Sequence, residues 1–226
     1  MTLVPIPGGR LLMGSLDGRR DERPLREVEI APFRLASTQV SNEEFDAFVK
    51  ATGRPEPPFR REPGFDDPRQ PVVGVSWLDA REYCDFIGAR LPSEAEWEWA
   101  ARGGRIGARY PWGDETPRER YVDYGGLWSR GPEPVGRHAS NDWGLFEMCE
   151  NVHEWCAGWY DAEETRRASR GGSWRHQIKV STCSARSSIP PEFRYADYGF
   201  RVASNVPRSV YPAAVDTSGD VGPART

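Results

Sequence analysis

The spacing of apolar residues predicts three short helices in the first half of the chain. After Ser41, a candidate N-cap, Phe45 and Phe48 recur at helical spacing, as a helix packed on a core requires. Ser76 and Ser93 each precede a further apolar stripe and have an acidic residue three positions later. Such a pair forms a capping box, which satisfies backbone N–H groups at a helix start. The sequence therefore places a helix after each serine.

Outside these stretches the pattern is one of short strands and long loops. Strand patterns occur at residues 3–6, 11–13, 26–30, 170–174 and 198–203. The Pro7-Gly8 step between the first two predicts a hairpin. Residues 54–71 and 105–168 have no sustained period and are predicted to be loops. The chain is thus expected to be α+β, with little regular secondary structure.

Composition and length agree with one loop-rich domain. The 226 residues include 23 glycines and 20 prolines, which favour turns, and nine tryptophans, which bring a polar tip into a core. A single domain over residues 1–204 accounts for this length. Residues 205–226 are small and lack periodicity, so they are expected to form a flexible tail.

Charge and hydropathy exclude several classes of function. A net charge of −4 gives no basic field for nucleic acid, and no apolar run is long enough to span a bilayer. No signal-peptide pattern opens the chain, which predicts a cytoplasmic protein. The glutamates of the third helix are expected to form salt bridges with arginines; they are Glu94, Glu96 and Glu98.

Nine short motifs follow one another along the chain. They are DERP at 21–24, VSNEEF at 40–45, PVVGVSW at 71–77, RLPSEAEWEWAARGG at 90–104, YPWG at 110–113, NVHEW at 151–155, RGGSW at 170–174, AR at 185–186 and YGFR at 198–201. Each is weak alone, but the ordered set resembles the formylglycine-generating-enzyme (sulfatase-modifying factor) family over residues 4–204. The resemblance implies that family's C-type-lectin-like α+β fold.

The family's catalytic cysteine pair is missing from this chain. The resemblance implies two cysteines, five residues apart, after the Gly-Gly-Ser-aromatic motif; they bind copper(I), a soft ion that thiolates suit. Counted from Gly171, these places fall on His176 and Ser181, and neither supplies a thiolate. The chain is therefore expected to be a pseudoenzyme that does not make formylglycine.

The remaining cysteines depart from the family as well. Cys84 and Cys183 match halves of disulfides in some relatives, but their partner positions fall on Val202 and Ala101. All four cysteines are expected to be free thiols, in keeping with a reducing compartment. They form no CxxC pair that would indicate a zinc site.

His176 has two interpretations. A single imidazole can be a metal ligand or a general base, and a mononuclear iron site needs about two histidines and a carboxylate. The other histidines are His138 and His153, so a three-histidine site would use them all. A pocket-lining histidine is favoured, and iron or copper is not expected. If a catalytic site remains, it is placed at His176 and Ser181.

Residues 147–154 resemble a calcium loop of the family. By that resemblance Glu147 and Glu154 would offer side-chain oxygens, and Glu150 and Val152 backbone carbonyls, which suit a structural Ca²⁺. His153 stands where an aromatic residue is usual in the family. The alternative is a solvated acidic loop paired with nearby arginines.

The favoured function is a binding module for a protein or peptide, because loop aromatics on a rigid scaffold are typical of binding sites. The residues expected to contact the ligand are Trp174, Arg175, His176, Arg186, Phe193 and Tyr195, with Tyr124 and Trp128 as further aromatic candidates.

Two alternatives stay open at this point. One is an oxygen-dependent non-heme metal oxidoreductase with His176 at the metal. The other is a retroelement-diversified variable protein, a class whose surfaces tend to be rich in Asn, Ser and Tyr. Residues 175–197 do not have that composition, so this second alternative is the weaker.

Overall fold

A computed structural model of the chain describes residues 1–115, 131–176 and 180–205. The helices in these ranges are α1 (Asn42–Thr52), α2 (Trp77–Phe86) and α3 (Glu94–Arg102). The strands are β1 (Leu3–Ile6), β2 (Gly9–Met13), β3 (Arg26–Ile30), β4 (Phe33–Ala36), β5 (His153–Trp159), β6 (Arg167–Arg170), β7 (Arg186–Ile189), β8 (Tyr198–Gly199) and β9 (Ala203–Asn205). The predicted α+β class with little regular secondary structure is confirmed.

The three helices begin where the sequence predicts. Ser41, Ser76 and Ser93 each accept a hydrogen bond from the backbone N–H three residues on, and the acidic residue there accepts one in return from the serine N–H. The helices α1 and α3 end at Gly53 and Gly103, both in the left-handed conformation that glycine adopts without steric cost. Each of these signals involves residues close together in the chain, so it can be recognised from the sequence alone.

The strands form three small sheets, with orders β1-β4-β9, β2-β3 and β7-β6-β5-β8. The predicted hairpin between residues 3–6 and 11–13 is wrong, because β1 pairs with β4 and β2 pairs with β3. The Pro7-Gly8 step carries the chain from one sheet to the next. Gly8 lies so close to the Ile30 carbonyl that an added Cβ would be 2.8 Å from it.

The strand β5 runs through the interior between two clusters of apolar side chains. Trp155 packs with Phe200 and Tyr198 on one side, and Cys156 packs with Trp97 on the other. Because its first four residues are all buried, β5 lacks the polar alternation of a half-exposed strand. The sequence prediction of loop over residues 105–168 therefore missed this strand.

Charged side chains are buried between α3 and the four-stranded sheet. Both oxygens of Glu98 accept hydrogen bonds, Oε1 from Arg102 at 2.7 Å and Oε2 from Arg170 at 2.9 Å. Glu94 accepts from Arg170 and Arg186, which lowers the pKa of its carboxyl against the effect of burial. The predicted role of the α3 glutamates as salt-bridge partners is confirmed.

All four cysteines are buried free thiols. Burial raises the pKa of the Cys84 thiol to about 12, so it is protonated and unreactive near neutral pH. The sulfur atoms of Cys149 and Cys183 lie 3.8 Å apart, well beyond the S–S distance of a disulfide.

Within the described ranges, no helix has both the length and the apolar character that crossing a membrane requires. The predicted tail begins at Asn205, the last residue of β9, and positions 206–226 lie outside the described residues.

Candidate functional site

Three segments that are distant in sequence converge at one end of β5. His153 is the first residue of β5, and its backbone N–H donates to the carbonyl of Asp197, at 2.9 Å. Asp197 lies there because β8, which follows it directly, runs parallel to β5 with Tyr198 opposite His153. His176 follows the turn after β6, where its N–H donates to the Ser173 carbonyl.

This convergence brings two imidazoles and a carboxylate together. One ligand atom from each of His153, His176 and Asp197 lies within 4.8 Å of the other two. The two imidazole rings are 5.0 Å apart, centroid to centroid, and inclined at 65°. His153 is only 6% exposed and Asp197 5%, whereas His176 is exposed at the surface. Two members of the cluster are therefore buried, and the third, His176, faces solvent.

One ring nitrogen of His153 is buried without a partner. This atom is Nδ1, which has no hydrogen-bond partner in the structure. Buried side-chain nitrogens normally have a partner, and an exception calls for an explanation.

The environment of the cluster favours neutral imidazoles. Burial, with further contributions from His176 and Arg19, lowers the pKa of His153 to about 3. Burial also lowers the pKa of His176, although the charge of Asp197 acts in the opposite direction. Neutral imidazole has a lone pair available to a metal ion or a proton donor.

Asp197 is oriented by two neighbours from the loop after β6. The Ser173 hydroxyl donates to its Oδ2 at 3.0 Å, and Nη1 of Arg175 lies 3.8 Å from its Oδ1. Ser173 belongs to the Gly-Gly-Ser-Trp motif, so one function of that motif here is to fix this carboxylate.

Part of the predicted ligand-contacting set lies around the cluster. Rings follow one another from His153 to Tyr198, Tyr195 and Phe193, with centroids 4.8 to 6.1 Å apart. Phe193 and Tyr195 are 45% and 42% exposed. Together with His176, they form an aromatic surface beside the cluster.

The other predicted contact residues have different positions. Trp174 is buried, with its ring 6.1 Å from that of Phe65. Arg186 donates two hydrogen bonds to Glu94, so its guanidinium stabilises α3. The candidates Tyr124 and Trp128 lie outside the described residues.

The two positions that the resemblance matches to copper-binding cysteines, His176 and Ser181, supply no thiolate for a copper(I) site. Ser181 is 2% exposed and packs so tightly under Gly172 that a Cβ there would lie 1.8 Å from the Ser181 hydroxyl. His176 occupies the other position. Cys84, Cys149, Cys156 and Cys183 are all buried elsewhere, so no thiolate pair faces the surface.

The loop expected to bind calcium uses its carboxylates in other ways. The oxygens of Glu154 accept hydrogen bonds from Gln39, Trp97 and, twice, Arg201, all at 2.7 to 2.8 Å. Those of Glu147 accept from the backbone N–H groups of Gly136 and His138.

A backbone carbonyl of the same loop is also engaged in a hydrogen bond. The Glu150 carbonyl accepts from the Val152 N–H. A calcium ion at the four predicted residues would compete with these N–H donors, and above all with Arg201 for Glu154. Calcium binding stays a prediction, and Glu154 acts in this structure as the counter-ion of Arg201.

A groove of about 730 Å³ is a second feature of the described surface. Its apolar wall includes Leu12, Leu16 and Val180, which are 42%, 78% and 45% exposed. Arg19 also lines the groove, and its charge contributes to lowering the pKa of both His153 and His176.

The sequence points to two members of the cluster. His176 stands at a cysteine position of the family that the chain resembles, and His153 is a candidate both for a three-histidine site with it and for the calcium loop. Asp197 was missed because only the pairing of β5 with β8 brings it near. His138, the remaining histidine, hydrogen-bonds Glu133 instead.

Comparison with known proteins identifies the family. Residues 1–206 match the sulfatase-modifying factor enzyme 1-like domain. The formylglycine-generating enzyme of Thermomonospora curvata is 34% identical over 287 aligned positions, which cover 90% of this chain and 93% of that protein. The chain belongs to the formylglycine-generating-enzyme (sulfatase-modifying factor) family.

Relatives with other names fall in the same range of similarity. The inactive C-alpha-formylglycine-generating enzyme 2 of Bos taurus is 34% identical, over 92% of this chain and 89% of the relative. The serine/threonine-protein kinase Pkn1 of Chlamydia trachomatis is 35% identical over 90% of this chain, but the chain spans only 38% of that protein's length.

A solved structure agrees with the fold. PvdO from Pseudomonas aeruginosa superimposes with a TM-score of 0.77 at 28% identity, over 90% of this chain and 94% of that chain. The predicted C-type-lectin-like fold of the family is confirmed.

Proposed function

We propose that this protein binds a polypeptide ligand and does not generate formylglycine. The observation that carries the proposal is the composition of the family's catalytic position. His176 and Ser181 stand where two thiolates would bind copper(I), and Ser181 is buried under Gly172. Without thiolates, the position lacks the ligands that a soft copper(I) ion prefers.

The relatives support a non-catalytic member of the family. The Bos taurus relative is named as inactive at the same 34% identity as the Thermomonospora curvata enzyme. Overall similarity therefore does not separate active from inactive members, and the residues of the site have to decide. Here they lack the cysteine pair.

The groove lined by Leu12, Leu16 and Val180 is the seat proposed for the ligand. Family members are described as sulfatase-modifying, which makes a protein the natural class of ligand. These three exposed apolar side chains share one wall, and exposed apolar patches rimmed by polar residues mark interaction sites. A segment in the groove would also contact Arg19, which lines it.

Formylglycine formation is tested with a cysteine-containing sulfatase peptide. The peptide is incubated with the protein, copper and oxygen and analysed by mass spectrometry, with the Thermomonospora curvata enzyme as positive control. We expect conversion by the control alone. Copper-dependent conversion by this protein above background would overturn the proposal.

Binding at the groove is tested separately with peptides selected from a random library on the purified protein. Leu16→Asp should weaken a selected peptide at least tenfold, because it places a charge on the apolar wall. Leu78→Asp is the matched control, since Leu78 is an exposed leucine on α2, which does not line the groove. If no peptide is selected, or if both variants bind alike, the groove is not the ligand seat.

A further inference from the structure

Two buried groups and one exposed group meet in a combination that the polypeptide-binding function does not use. His153, His176 and Asp197 come from three separate segments, yet one nitrogen or oxygen atom of each lies within 4.8 Å of the others. Two imidazoles and one carboxylate with an open side form the ligand set of several mononuclear metal sites.

The unpartnered nitrogen of His153 is the second, independent observation. Nδ1 is buried without a hydrogen-bond partner, in a side chain that is 6% exposed. The structure supplies partners to buried polar atoms nearby, including the Ser173 hydroxyl and the backbone N–H of His153. A bound ion would give this lone pair the partner that the protein does not provide.

We propose that His153, His176 and Asp197 bind one divalent first-row transition-metal ion, through an imidazole nitrogen of each histidine and a carboxylate oxygen. The site is independent of the polypeptide-binding function and would exist whether or not that function is correct. The exposed side of His176 leaves further coordination positions open to water or a ligand.

The distances suit such an ion after a small closure. In a tetrahedral site with bonds of about 2.1 Å, ligand atoms lie about 3.4 Å apart, compared with an upper limit of 4.8 Å for the three atoms here. The ligand atoms therefore have to approach one another by up to about 1.4 Å. His176, the exposed member, is the side chain with the most freedom to move.

The surroundings hold the ligands in the required orientation. Metal-ligating histidines and carboxylates typically make a further hydrogen bond that fixes them. Here Asp197 accepts a hydrogen bond from the Ser173 hydroxyl, at 3.0 Å. The carboxylate therefore has the kind of supporting contact that a preformed site requires.

Nearby positive charges act against a cation but are partly neutralised. Arg19 lies 3.4 Å from the carboxylate of Glu22, and Arg175 lies 3.8 Å from that of Asp197.

The ligand types select the class of ion. Imidazole suits zinc, iron, copper and nickel, whereas calcium and magnesium prefer sites made of oxygen atoms. Cobalt(II) is therefore a suitable probe, because it accepts the same ligands and its visible absorption reports their number and type.

The test uses untagged full-length protein that has been treated with a chelator and dialysed. Titration with CoCl₂ should give one saturable site per chain, and ZnCl₂ should displace the cobalt. His176→Ala and Asp197→Asn should each weaken binding at least tenfold. His138→Ala is the matched control and should bind like wild type, because His138 is engaged by Glu133.

His176→Ala decides the matter even if Asp197→Asn misfolds, because an exposed ring is removed. Circular dichroism checks that each variant is folded. The proposal is overturned if wild-type protein binds no Co²⁺ saturably, or if folded His176→Ala binds as wild type does. Loss of binding in His138→Ala alone would also overturn it, by placing the ion at Glu133.

Discussion

Two groups of ionisable side chains in this protein differ in whether their polar atoms have partners. In the interior, the carboxylate of Glu98 accepts hydrogen bonds from Gly14, Arg102 and Arg170, at 2.7 to 2.9 Å. At the end of β5, the cluster of His153, His176 and Asp197 leaves the buried Nδ1 of His153 without a partner.

The difference separates a structural role from a functional one. A buried charge with every lone pair filled holds α3 against the sheet, and it has no capacity left for a ligand. A buried nitrogen with a free lone pair destabilises the fold unless something binds to it. We therefore expect the first group to matter for stability, and the second for binding.

The largest expected effect is on the interior group. Glu98→Gln removes the charge that Arg102 and Arg170 share and should lower the free energy of unfolding by about 3–5 kcal/mol. The exposed Glu27, which pairs with Arg10 at 3.3 Å, is the matched control. Glu27→Gln should cost less than about 1 kcal/mol.

Urea denaturation of the two variants measures both values. A loss below about 1 kcal/mol for Glu98→Gln would mean that this buried ion pair contributes no more to stability than an exposed pair does. The interior group would then not be a structural element, and the comparison with the histidine cluster would fail.

The second expected effect is the loss of stability of the metal-free protein in mild acid. His153 has a pKa of about 3 when folded, lowered by burial, His176, Arg19 and Arg175, against an ordinary value of 6.5. As pH falls, the unfolded chain takes up the proton at a higher pH than the folded protein does. The contribution of neutral His153 to the free energy of unfolding is therefore complete above pH 6.5 and declines as pH falls towards 3. His176, also lowered, acts in the same direction.

The window from pH 6.5 to 5.5 reports mainly on the histidines, because unfolded carboxyl groups with the ordinary pKa of 4.5 take up few protons above pH 5.5. Across this unit His153 accounts for about 1 kcal/mol. Denaturation in chelator at several pH values measures the slope. A stability that is constant across this window would show that His153 is accessible to protons when folded.

The smallest expected difference is the one between calcium and chelator, and it separates the two interpretations of the 147–154 loop. Glu154→Gln should lower the melting temperature equally in Ca²⁺ and in chelator, because the carboxylate is paired with Arg201. Thermal melting in the two buffers provides the comparison. If wild type is stabilised by Ca²⁺ and only the variant loses that gain, Glu154 is a calcium ligand after all.

The sequence was sufficient for features that depend on near neighbours in the chain. The capping boxes at Ser41, Ser76 and Ser93 use residues three positions apart, and all three helices begin where predicted. The ordered motifs predicted the family and the fold. His176 was found because its position is defined relative to Gly171 in one of these motifs.

Features that depend on distant segments were not predictable in this way. Asp197 reaches His153 only through the parallel pairing of β5 and β8, which are separated by the whole of β6 and β7. The strand β5 itself was hidden, because a strand buried on both faces has no alternating pattern. The predicted hairpin of β1 and β2 is wrong for a similar reason. Each of the two strands pairs with a strand that comes later in the chain.

The central claim is that His153 is retained for binding and not for stability. Its most direct test is the free energy of unfolding of His153→Phe, measured by urea denaturation in chelator at pH 7.5. The phenylalanine ring keeps the contact with Tyr198 and removes the unpartnered Nδ1. We predict a stability that is at most about 1 kcal/mol below that of wild type, because no hydrogen bond is lost at Nδ1. A loss of about 3 kcal/mol or more, the size expected for Glu98→Gln, would show that His153 is structural and contradict the account.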